Sequence, residues 1–142
     1  MRSDGRRVKN MEAMYYLIPH FLTRRYDAMN MITLDIPVEP MKAYMNEKRK
    51  EGIQISHVGL LIAAYLRTAA EFPCINRFVG NKKIYAHNDF TVSMVVLRPG
   101  EDESTMSKIY LDYTDDIFEV QRKILHYITE NRKDNNLSLI HI

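Results

Sequence analysis

Ser56-His57-Val58-Gly59-Leu60-Leu61-Ile62-Ala63-Ala64-Tyr65-Leu66-Arg67-Thr68-Ala69-Ala70-Glu71-Phe72-Pro73-Cys74-Ile75-Asn76-Arg77-Phe78-Val79 is the stretch that decides the fold. Ser56 is an N-cap for a helix from His57 to Glu71, because its hydroxyl can accept from an N–H of the first turn. The helix is apolar nearly all round, the pattern of one buried in a core or between subunits. Pro73 stops it. Arg77-Phe78-Val79 then reads as a strand, paired with Lys83-Ile84-Tyr85-Ala86 through a turn at Gly80-Asn81.

Upstream, Glu39 to Glu51 is an amphipathic helix with Pro40 in its first turn and Met41, Tyr44, Met45 and the Lys48 stem along one face. Met29-Asn30-Met31-Ile32-Thr33-Leu34-Asp35-Ile36, closed by Pro37, is a strand by content and punctuation. Apolar residues between Met11 and Leu22 recur at three- and four-residue steps and predict a helix that Pro19 kinks or divides. Residues 1–10 form a polar, basic arm.

Downstream, Phe90 to Leu97 is a continuous apolar run expected of a central strand. Pro99-Gly100-Glu101-Asp102-Glu103 is a polar loop, and Ser107 to Tyr113 alternates as a further strand. Asp115 to Arg132 is helical, with Thr114 as N-cap, acids at the positive end of the dipole, and an Ile117, Val120, Ile124, Ile128 stripe.

The chain has 142 residues, enough for one domain, and a net charge of +2 from 20 Lys+Arg and 18 Asp+Glu. That balance gives no electrostatic reason to expect nucleic acid or an anionic membrane as partner. No apolar run has the length of a membrane span, so a soluble, cytoplasmic protein is expected. The single cysteine, Cys74, excludes an internal disulfide and a cysteine cage for zinc. It reads as a small buried hydrophobe.

Local catalytic motifs are missing. The five glycines are scattered, with no phosphate loop, and no Gly-x-Ser-x-Gly elbow occurs. His20, His57, His87, His126 and His141 include no pair at i,i+4, so no metal is expected. His57 is read as a neutral helix-start residue and His126 as solvated. The nine methionines are core filler or the wall of an apolar pocket.

The ordered set of segments resembles the catalytic domain shared by 2-oxo acid dehydrogenase acyltransferases and chloramphenicol acetyltransferases. The resemblance runs from about Met11 to about Asn135. It is carried by an initial helix, the strand ending Asp35-Ile36, the helix with Pro40-Met41-Lys42-Ala43-Tyr44, and the buried helix closed by an "hPELN"-like turn, Glu71-Phe72-Pro73-Cys74-Ile75-Asn76. The paired strands, Asp89-Phe90-Thr91-Val92-Ser93 and the passage Tyr113-Thr114-Asp115-Asp116-Ile117 complete it.

The resemblance implies an α/β (α+β) two-layer sandwich, chloramphenicol acetyltransferase-like, with a mixed, mostly antiparallel sheet and helices on one face. It implies transfer of an acyl group from a coenzyme A thioester to a hydroxyl or thiol acceptor, in a homotrimer whose sites lie between subunits. A histidine in a His-x-x-x-Asp-Gly motif is the family's general base. Here the only Asp-Gly is Asp4-Gly5, and no histidine stands at the required offset. No catalytic residue is therefore assigned.

Residues 11–136 are read as the N-terminal portion of that domain, with its C-terminal part missing. Leu137-Ser138-Leu139-Ile140-His141-Ile142 is read as a non-family tail, such as vector read-through. No lipoyl domain or linker is read in the chain. By position in the family, His20, Tyr26 and Met106 are the candidates for the acceptor-pocket wall. The resemblance thus points to an inactive acyltransferase fragment, with a non-catalytic oligomeric binding or scaffold module of the same fold as the alternative. A different small α/β enzyme is the third reading.

Overall fold

In the computed structural model, residues 2–97 and 104–133 are described. The elements run β1 (Gly5–Arg7), α1 (Ala13–Phe21), α2 (Val38–Lys50), α3 (His57–Glu71), β2 (Arg77–Gly80), β3 (Lys83–His87), β4 (Phe90–Leu97), β5 (Ser104–Leu111) and α4 (Ile117–Lys133). Short 3-10 turns lie at Arg25–Ala28 and Pro73–Asn76. This is a mixed α/β architecture with antiparallel pairing throughout the described strands, as expected. It forms two small sheets, ordered β1-β3-β2 and β4-β5, instead of one mixed sheet.

The core lies between the β4-β5 hairpin and helices α3 and α4. Leu66 and Ala69 of α3 meet Val120, Ile124 and Tyr127 of α4 and Phe90, Val96, Ile109 and Leu111 of the hairpin. Along β4 the alternation is plain: Phe90 and Val96 are buried, Val92 and Met94 half-buried, and Thr91, Ser93 and Val95 exposed. β4 pairs only with β5 among the described strands. Among the described strands it is thus an edge strand covered on one face, and not the central strand expected from its sequence.

Ser56 caps α3 as its sequence requires, its hydroxyl accepting from Gly59 N–H at 3.0 Å. The helix is less enclosed than its composition implies, for Val58, Leu61 and Tyr65 stand about half exposed. α2 follows its pattern, with Met45 buried and Met41, Tyr44 and Lys48 half-buried. Basic residues in its last turn oppose the negative end of the dipole. α4 is capped by Asp116, whose Oδ1 accepts from Glu119 N–H at 2.8 Å, in place of Thr114.

Three further expectations change. Within the residues read as an arm, Gly5–Arg7 form β1 and pair with β3. The β2-β3 turn sits one residue later than Gly80-Asn81: Asn81 and Lys82 both have positive φ, 47° and 56°, the two-residue geometry whose twist matches that of paired strands. Residues 29–36 are irregular and pair with no described strand, with Met31 87% exposed. β propensity is a fit to a half-buried pleated surface, and every residue of this segment is exposed. The expected loop at 99–103 and tail at 137–142 lie outside the described residues.

Candidate functional site

Pro73 ends α3 and starts a 3-10 turn, which delivers Asn76 to the junction of the two sheets. Its Nδ2 donates to the backbone carbonyl of Asp89 at 3.1 Å and to the Tyr113 hydroxyl at 2.9 Å. Asp89 leads into β4 and Tyr113 leads out of β5, so one amide ties the mouth of the hairpin to the end of α3. The Phe90 ring stands 5.7 Å from Tyr65 and 5.9 Å from Tyr113 and fills the space below. Two clefts open on either side of this knot and share Asn76 and His87. One, of about 470 Å³, is floored by Ala69, Ala70 and Ala86 and edged by Arg6, Asn88 and Tyr113. The other, of about 660 Å³, runs between α3 at Leu61, Ile62 and Tyr65 and β4 at Phe90 to Ser93.

The residues expected at an acceptor pocket do not share either cleft. His20, near the end of α1, lines a separate hollow of about 170 Å³ against Tyr16 and Lys83. Tyr26 lies in the Arg25–Ala28 turn, 62% exposed, with the Arg24 guanidinium 5.6 Å from its ring centroid and hydrogen-bonded to its hydroxyl. Met106, 69% exposed, is opposite Val95 on the outer face of the β4-β5 hairpin.

None of the four described histidines hydrogen-bonds to a carboxylate, so none has the orienting partner that a general base needs. The His87 ring instead stands 4.3 Å from that of Phe78. Cys74 is exposed, contrary to its reading as a buried hydrophobe, because the 3-10 turn carries it outward. Among the described residues no three His, Cys, Asp or Glu side chains gather as a metal site. No described helix is long and apolar enough to cross a membrane.

Asn76 stands out only as the last residue of the turn motif in the sequence, with no sign of the two groups it joins. His87 carries no local signal, since its place between the clefts depends on how β3 meets the 3-10 turn. No protein-family model matches the chain, and no significant similarity to a curated protein or to a solved structure was found.

Proposed function

We propose that this chain is the acceptor-side, N-terminal portion of an acyl-CoA-dependent acyltransferase domain of the chloramphenicol acetyltransferase-like kind, inactive by itself. The observation that carries the reading is the turn closed by Asn76: a core helix ends in Phe72-Pro73-Cys74-Ile75-Asn76, and the asparagine ties the two ends of the β4-β5 hairpin to it. The helix-turn-strand succession α3, Pro73–Asn76 and β2 supports the reading, while residues 29–36, where the family has a strand, are irregular.

In this reading His20, Tyr26 and Met106 contribute separately to an acceptor wall that a neighbouring subunit of a homotrimer completes. The base that takes the acceptor's proton, while its oxygen or sulfur attacks the thioester carbonyl, comes from sequence beyond this portion. Reading the source locus past the codon for Asn136 tests the proposal. A continuing frame that carries His-x-x-x-Asp-Gly is expected, as is no release of thiol from acetyl-CoA by the chain alone. A genuine stop after Ile142 overturns it.

A non-catalytic assembly module of the same fold is the second reading. It is favoured by the exposure of the large apolar side chains of Met31, Ile32 and Leu34 and of Leu61 and Tyr65 on α3. A concentration-independent trimer in sedimentation would support it, and a monomer would remove it.

A further inference from the structure

Four of the first nine residues are cationic, Arg2, Arg6, Arg7 and Lys9, and all four line one cleft of about 670 Å³ together with Tyr85 and Asn88. The topology gathers them. β1 is an edge strand, so Arg6 and Arg7 leave its two faces at the same border of the sheet, with Lys9 just beyond. The acid in this segment, Asp4, is already engaged: Arg2 Nε and Nη2 donate to its two oxygens at 2.8 and 2.7 Å. Among the described residues, Arg6, Arg7 and Lys9 have no carboxylate partner. Three uncompensated cations around one cavity repel one another, and an anion seated among them relieves the repulsion.

The wall of the cleft adds a planar surface. Tyr85 stacks on Phe78 with centroids 5.4 Å apart and planes 22° apart. The Arg2 guanidinium lies over both rings, 5.2 Å from Phe78 and 5.4 Å from Tyr85, and its bidentate pairing with Asp4 keeps it there. From this juxtaposition of a stacked Tyr85–Arg2 wall with Arg6, Arg7 and Lys9 we infer that the cleft binds a nucleoside phosphate. The base stacks on the wall, and the phosphate takes hydrogen bonds from the arginines and the lysine. The volume is in the range of small-molecule sites. The inference does not rest on the acyltransferase reading.

ADP titrated into the purified full chain at low salt tests it, by calorimetry and by amide shifts. Saturable binding that weakens with added salt is expected, with shifts confined to β1, β3 and the residues that flank them. Arg6→Ala/Arg7→Ala is expected to weaken binding at least about tenfold, the loss of roughly one charge-assisted contact. Tyr85→Leu weakens it while Tyr85→Phe retains it, and unchanged α3 and α4 amide shifts show that each variant is folded. Inorganic phosphate binds about tenfold more weakly than ADP, and equal affinity would overturn the nucleoside part. Absence of saturable ADP binding, or a double variant with unchanged affinity, overturns the site. Tight binding of a short single-stranded oligonucleotide that ADP does not displace overturns the free nucleotide as its ligand.

Discussion

Gln121 Oε1 accepts two hydrogen bonds from Ser56, one from its backbone N–H at 3.0 Å and one from its hydroxyl at 2.9 Å. The same hydroxyl accepts from Gly59 N–H, so a buried side chain of α4 holds the cap of α3 across 65 residues of sequence. A Cβ at Gly59 would lie 2.2 Å from that Oε1, which leaves no room for any larger residue while the bridge stands. Gln121→Ala leaves the half-buried Ser56 N–H without its acceptor and is expected to cost about 1 kcal/mol in urea unfolding. Gly59→Ala is expected to destabilise in spite of the gain of about 1 kcal/mol in helix propensity. In the Gln121→Ala background its penalty should shrink, and equal penalties in both backgrounds would show that the two sites are not coupled.

Asn76 joins two groups that are distant in sequence, and its replacement reports on the joint. Asn76→Ala removes both hydrogen bonds and is expected to lower stability by about 1–3 kcal/mol. Asn76→Asp is expected to be worse than Ala, because a carboxylate cannot donate to the Asp89 carbonyl and repels it. The order of the two unfolding midpoints checks this.

Gly5 allows β1 to approach β3. An added Cβ would stand 2.6 Å from the Ala86 carbonyl oxygen and 2.7 Å from the Phe78 ring. Gly5→Ala is expected to release β1, with loss of hydrogen-exchange protection at the Val8 amide, which donates to Ile84 O at 3.0 Å. Protection at Leu66 and Ile124 in the core should hold.

Asp115 gives the chain an acid-sensitive contact. Burial pushes its carboxyl up, but the hydrogen bond from Lys123 Nζ at 2.6 Å and that from the Asp112 N–H at 2.8 Å outweigh burial, and its pKa falls below the ordinary 3.8. A carboxyl with a lower pKa folded than unfolded binds its proton more readily in the unfolded chain. Its stabilisation is complete above the unfolded value and is lost as pH falls below it toward the folded value. Urea midpoints should therefore drop as pH falls below about 4. Asp115→Asn should lower the plateau at neutral pH and flatten that part of the curve.

Much of the fold was legible because its signals are local. Ser56 and Pro73 bound α3 in the sequence as they do in the structure, and the stripe through Val120 and Ile124 located the buried face of α4. Residues 29–36 have the content of a strand and form none, because a strand exists only where another pairs with it, and the sequence of that segment does not say where the other strands go. The site was least legible. Neither the separation of His20, Tyr26 and Met106 nor the meeting of Asn76 with Tyr113 follows from any local pattern, since each depends on how whole elements dock.

The β1-β3-β2 sheet contributes no residue to the buried cluster, which draws only on α3, β4, β5 and α4. Its outward positions are thus decoupled from the part of the molecule that must survive for the chain to fold. Substitutions there are filtered by what the surface contacts, with little penalty in foldability. A lineage carrying this domain could exchange the cations of β1 one at a time and acquire new ligand preferences while the helical core stays as it is.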